Sequence, residues 1–172
     1  MNYFELFGLP VEFGLDSQTL ADTYRQLQMQ FHPDKFASRP ERERLQAVQR
    51  AAQINDAFTT LKHPLNRAEY LLSLQGIDIR AEQQTLKDPL FLMQQMEWRE
   101  QLEEIPAVQD VFGAIMAFDR ELQQASADFY AELEQQLGSS QWLDAADTVR
   151  KLKFMTKLHA ELERLEDAQQ EF

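Results

Sequence analysis

The sequence predicts an all-α fold in two parts: an N-terminal antiparallel helical hairpin with short flanking helices, then a C-terminal antiparallel three-helix bundle. Three observations predict it. Apolar residues recur at alternating spacings of three and four along most of the chain, the period of an α-helix. Among 172 residues there are only 5 Gly and 6 Pro, and 27% are charged, a composition that suits helices with solvated outer faces. Charge is also uneven. Residues 1–75 hold 8 Lys/Arg against 9 Asp/Glu, and residues 76–172 hold 9 against 20, so the net charge shifts from −1 to −11. That shift marks a domain boundary and suggests that the two halves face different partners.

In the first half, Asn2 to Pro10 reads as a short apolar turn or helix stopped by Gly8 and Pro10. A longer helix begins after Asp16, a good N-cap, with Leu15 and Leu20 placed as a hydrophobic staple. Leu20, Tyr24, Leu27 and Phe31 form its apolar face. Pro33 cannot continue the helix and drives His32 out of helical geometry, so a loop is expected from Asp34 to about Pro40. The next helix carries Ala47, Ala51, Ile54, Phe58 and Leu61 on one stripe, which packs back on the preceding helix and leaves His32-Pro33-Asp34 at the tip. Arg67 to Leu74 reads as a short helix ended by Gly76.

These residues resemble a J-domain, the module with which co-chaperones trigger ATP hydrolysis by DnaK-class chaperones. The resemblance rests on four ordered blocks: Asn2 to Leu9, Tyr24-Arg25, Phe31 to Phe36, and Ile54 to Leu61 followed by Pro64 and Arg67-Ala68-Glu69-Tyr70. It implies a chaperone-binding site at His32, Pro33, Asp34, Lys35 and Arg25. The chemistry suits that role. Asp34 offers a carboxylate for a bidentate pair with an arginine, and Pro33 reduces the entropy lost on docking. Arg25, Lys35 and Arg39 supply a positive rim for an acidic partner surface. Taken one at a time, Arg25 and Lys35 have a serious alternative reading as solvated surface charges.

In the second half, residues 76–87 are polar, lack a period and read as a connector. Asp88-Pro89 opens a helix to about Ile105, with Phe91, Trp98, Leu102 and Ile105 on one stripe. Leu92 and Met96, beside Met93, lie roughly 100° round the cylinder and continue into Glu97, Glu100 and Glu104. Two readings of this second face stand level: a docking surface for a partly basic partner, with adaptable Met side chains, or a wide core face with ordinary solvated glutamates. Pro106 is expected to open a helix through Val108, Val111, Ile115, Phe118, Leu122, Ala125, Phe129 and Leu133 to Leu137-Gly138. Ser139 or Ser140 is expected to cap the last helix, which carries Trp142, Ala145, Val149, Leu152, Leu158, Leu162 and Leu165. Phe154 lies well round that helix, at the core edge or on the exposed patch.

The chain as a whole resembles the HscB family, J-proteins of iron–sulfur cluster biogenesis, in its bacterial form. Pro64-Leu65, Arg67 to Leu72, Phe91-Leu92-Met93 and Asp144 to Phe154 carry this narrower likeness. The resemblance implies a J-domain at 1–75, a connector at 76–87 and a scaffold-binding three-helix domain at 88–172. It implies no catalytic site of the chain's own. The expected partners are an HscA-type chaperone ATPase and the scaffold protein IscU, with the chain itself a cytoplasmic monomer. Scaffold contacts would fall on Leu92, Met93, Met96 and Phe154, with Glu97, Glu100 and Glu104 as the acidic margin. Met96 stands where family members often have Leu, a conservative change. Eukaryotic members add an N-terminal cysteine-bearing extension, which this sequence lacks.

Composition narrows the alternatives. The absence of Cys excludes disulfides, thiolate zinc sites and thiol catalysis. His32, His63 and His159 stand alone, none with the Glu-x-x-His spacing of a carboxylate-bridged metal bundle, so no metal or cofactor is expected. No apolar run approaches the ~20 residues of a membrane span, and there is no leader pattern. A net charge of −12 opposes nucleic acid or an anionic membrane as partner. An enzyme built on Glu97, Glu100 and Glu104 would lack a nucleophile, metal cluster or phosphate loop. A general J-protein holding unfolded chains is the nearer competitor.

Overall fold

The computed structural model describes residues 1–80 and 88–170. Every regular element among these residues is helical. The chain divides into two units, Met1–Gly76 and Ile77–Phe172. Of the expected connector, residues 81–87 lie outside the described residues.

The first unit is built on a hairpin of α2 (Ser17–Phe31) and α3 (Glu41–Lys62). Asp16 caps α2, accepting hydrogen bonds from the Thr19 hydroxyl at 2.9 Å and the Gln18 N–H at 3.0 Å. Those two donors, Thr19 foremost, hold the Asp16 carboxyl below its usual range. The hairpin is antiparallel because contacts advance along α2 as they retreat along α3. Tyr24 stacks on Phe58 at 3.9 Å, with its hydroxyl donating to Asn55, whereas Phe31 lies under Arg50.

Two short helices close the open end of this hairpin. In α1 (Tyr3–Leu6), a capping box between Asn2 and Glu5 fixes the single turn that buries Phe4 completely. Tyr3 donates its N–H to the Tyr70 hydroxyl at 2.9 Å and stacks on that ring, tying α1 to α4 (Pro64–Leu74). Helix α4 begins at Pro64, ahead of the expected Arg67, because proline is pre-organised for a first helical position. Arg67 is a buried strut. Its guanidinium donates to the Phe13 carbonyl at 2.8 Å and the Leu61 carbonyl at 2.7 Å and lies over the Phe13 ring. Gly76 ends the unit at φ +82°, a left-handed conformation that any Cβ would strain.

The second unit consists of α5 (Pro89–Glu104), α6 (Val111–Gly138) and α7 (Trp142–Gln170). Phe91 and Trp98 of α5, with Ile105 just past its end, share one buried core with Ile115, Phe118 and Leu122 of α6 and Met155, Leu158 and Leu162 of α7. Cross-contacts set the directions. Phe91 meets Phe129 while Trp98 Nε1 donates to Glu121, so α5 and α6 are antiparallel. Asp88 pairs with Lys151 at 2.9 Å and Arg99 with Glu161, so α5 and α7 are parallel.

Two helix starts differ from expectation. Pro106 does not open α6: it lies in a 3₁₀ turn, Ile105–Ala107, after which Val108 is extended. Asp110 caps the helix instead, accepting from the Gly113 N–H at 3.0 Å. Neither serine caps α7. Ser139 is the C-cap of α6, and Ser140 adopts φ +57°. The first carbonyl to accept within α7 is that of Gln141, from Ala145 at 2.9 Å.

Candidate docking surfaces

At the hairpin tip, His32 ends α2 and starts a 3₁₀ turn over Pro33–Phe36, so the expected loop is partly helical. The cause is local. Pro33 pushes His32 to an extended conformation (φ −61°, ψ 130°), and its own fixed φ then suits the first position of the turn. His32 Nδ1 accepts the Asp34 N–H at 3.2 Å, which places the ring proton of neutral His32 on Nε2. The Asp34 side chain is 91% exposed, its carboxylate 3.6 Å from His32 Nδ1. The turn, stiffened by proline and a side-chain cap, leaves this carboxylate open to solvent.

The basic rim is narrower than its residue count suggests. Arg25 pairs with Asp22 one turn earlier on α2, and Arg39 lies 4.0 Å from Glu43. Lys35 is exposed beside Asp34. The tip also carries an apolar groove of about 660 Å³ between α2 and α3, with Leu27, Met29, Phe31, Pro33, Ala51 and Ile54 among its lining. Met29, 67% exposed, is absent from the site read in the sequence. Its signal was a methionine off the apolar face of α2, three residues before His32.

On the bundle, Leu92, Met93 and Met96 are 40%, 59% and 72% exposed, so they do not complete a wide core face. Their position follows from α5 itself: Phe91 and Trp98 take the buried side, where Phe91 packs edge-on to Phe129 and Phe154. Phe154 is both of the things the sequence allowed. Its half-buried ring stacks against Trp98 and borders the core, and it also lines a cleft of about 400 Å³ between α5 and α7. Of the expected residues, that cleft brings together Met96, Glu100 and Phe154. Leu92, Met93, Glu97 and Glu104 are exposed on α5 but are not among its lining. Gln95, Arg99 and Glu103 line it and were missed, because helical spacing orders residues along α5 but does not say which side α7 approaches.

The electrostatics of the bundle are uneven as well. Lys151 is held by Asp88 and lies over the Phe91 and Phe129 rings. The Lys151 ammonium, followed by the Phe91 and Leu90 N–H groups, keeps the Asp88 carboxyl below its ordinary value. Among the described residues no cation pairs with Glu97, Glu100, Glu103 or Glu104. No group of acidic or histidine side chains there has a metal-holding arrangement, and no helix is long and apolar enough to cross a membrane.

A capped His-Pro-Asp turn at the tip of an antiparallel hairpin, closed by two short helices, defines the class: a J-domain co-chaperone. The DnaJ domain profile matches residues 2–70, and the profile described as the HSCB C-terminal oligomerisation domain matches residues 87–170. The co-chaperone protein HscB homolog of Vibrio cholerae serotype O1 (strain M66-2) is 59% identical over 167 residues, spanning 97% of this chain and 98% of that protein. The solved chaperone HscB from Vibrio cholerae superposes with a TM-score of 0.92 at 58% identity, covering 98% of this chain and 99% of that one. The crystal structure of the human co-chaperone protein HscB matches with a TM-score of 0.87 at 26% identity, over 96% of this chain and 82% of that one. The chain belongs to the HscB family of co-chaperones.

Proposed function

We propose that this co-chaperone acts in iron–sulfur cluster assembly by holding two partners at once. Its J-domain implies an Hsp70-class partner; the specialised form we assign is HscA, docked on His32, Pro33, Asp34 and Lys35. Asp34 reaches an arginine of the ATPase, and Arg25 contributes little beyond its bond to Asp22. The bundle holds the cluster scaffold IscU on Leu92, Met93, Met96 and Phe154, with Glu97, Glu100 and Glu104 meeting basic residues of the scaffold. Delivery of the scaffold coincides with ATP hydrolysis, which shifts the ATPase to its client-holding state and aids cluster transfer to acceptor proteins and their maturation. The chain supplies positioning, not chemistry.

One observation carries this reading: a chain of the HscB family exposes three neighbouring apolar side chains, Leu92, Met93 and Met96, beside a row of glutamates that no cation pairs with among the described residues. Apolar anchors with an acidic margin suit a folded partner of basic surface better than generic unfolded chains. Calorimetric titration with IscU tests it, alongside a Leu92→Ala/Met96→Ala/Phe154→Ala variant checked for folding by circular dichroism. Micromolar binding by the wild type, lost in the folded variant, is expected. Binding of denatured polypeptides but not of the scaffold would favour a general J-protein instead.

A further inference from the structure

Among the described residues that line the cleft between α5 and α7, Arg99 is the one cation, beside the carboxylates of Glu100 and Glu103. Two contacts hold it. Its guanidinium pairs with Glu161 of α7, one of the few ion pairs joining two helices of the bundle among the described residues. The same group lies over the Phe154 ring, 5.4 Å from its centroid. Trp98, one residue back on α5, stacks on that ring as well, at 6.3 Å and 22°. Phe154 therefore rests against an aromatic neighbour and a planar cation, and the cation is itself anchored to the helix that carries Phe154. On the solvent side of the cleft, Glu100 and Glu103 have no cationic partner among the described residues, and Met96 is the most exposed apolar side chain of the lining.

We infer that Arg99 is a positioning residue for this cleft. It holds Phe154 as one wall of a slot that takes a single aliphatic side chain of the partner against Met96, and its paired charge leaves Glu100 and Glu103 to receive the adjacent Lys or Arg. The inference rests on the scaffold-binding reading above and adds Arg99 and Glu103 to its residues. The physical reasons are direct. A cation over an aromatic face restrains the ring without filling the space in front of it, and a wall fixed before binding loses less entropy on docking. Because Glu161 neutralises Arg99, the guanidinium does not repel an incoming cation, and the field of the slot is that of its two carboxylates.

Charge alone predicts the opposite sign for the decisive variant. Removing a cation from beside two carboxylates would tighten binding of a basic partner, whereas loss of a positioning residue weakens it. The test measures IscU affinity by calorimetry for the full-length chain and its Arg99→Ala, Arg99→Lys and Glu103→Gln variants. In parallel, ring resonances of Phe154 are followed by NMR in the free proteins. Expected are a roughly tenfold loss for Arg99→Ala, recovery to within roughly threefold for Arg99→Lys, and a roughly threefold loss for Glu103→Gln with a shallower salt dependence. The Phe154 ring signals should shift in Arg99→Ala while melting of the protein stays near that of the wild type. Arg99→Ala binding as tightly as the wild type or more so, or unchanged Phe154 resonances, would overturn the inference alone. A wild type that does not bind the scaffold would overturn the functional reading and this inference together.

Discussion

Asp34 and Arg67 illustrate two uses of a charged side chain within one unit. Asp34 is almost fully exposed and makes no structural contact beyond its turn, so Asp34→Asn should leave melting unchanged. In the complex proposed above the same change removes the charge-assisted pair, and stimulation of HscA in a single-turnover ATPase assay should fall by at least about tenfold. Arg67 is the reverse case. Arg67→Ala leaves the Phe13 and Leu61 carbonyls without their guanidinium donor, and should cost about 3 kcal/mol, read as a lower urea midpoint. The motif predicts the first residue's role. The second is invisible to periodicity, because a buried arginine reads as a polar position until its carbonyl partners are seen.

At the level of elements, the start of α5 is tied to α7 by Asp88 and Lys151, and the tie is sensitive to pH. The folded Asp88 carboxyl titrates below its ordinary value of 3.8, so its contribution is complete above that value and is lost as pH falls through the lowered one. The difference in melting temperature between wild type and Asp88→Asn should therefore be steady near neutrality and shrink below about pH 4. The exposed side of α5 makes a separate prediction. Glu97→Gln/Glu100→Gln/Glu104→Gln should weaken the proposed scaffold binding mainly by slowing association, with a loss of salt dependence, since among the described residues no cation pairs with these carboxylates. Stopped-flow association at two salt concentrations reads that outcome.

For the whole molecule, the function proposed above requires one chain to bear both surfaces. A covalent link makes the meeting of client and ATPase effectively intramolecular, at a local concentration that can reach the millimolar range. Mixing the Asp34→Asn chain with the Leu92→Ala/Met96→Ala/Phe154→Ala chain should therefore fail to restore scaffold-dependent stimulation at micromolar concentrations, though each retains one intact surface. Restoration by the mixture would show that the two surfaces act independently.

The sequence by itself determined the helices and the hairpin tip, but it left the second face of α5 open between an exposed surface and a wide core face, and the structure exposes it. Periodicity, the Asp16 and Asp88 caps and the Pro33 break are local, and each acts through its own backbone neighbours. It misplaced the starts of α6 and α7, where several capping residues competed and Asp110 and the Gln141 carbonyl prevailed over Pro106 and Ser139 or Ser140. Only the tertiary structure decided which residues share a cleft. The approach of α7 to α5 placed Phe154 against Met96 and brought in Gln95, Arg99 and Glu103. That choice rests on packing between helices some 50 residues apart in sequence, roughly the separation of α5 and α7, and no helical period along a single element encodes it.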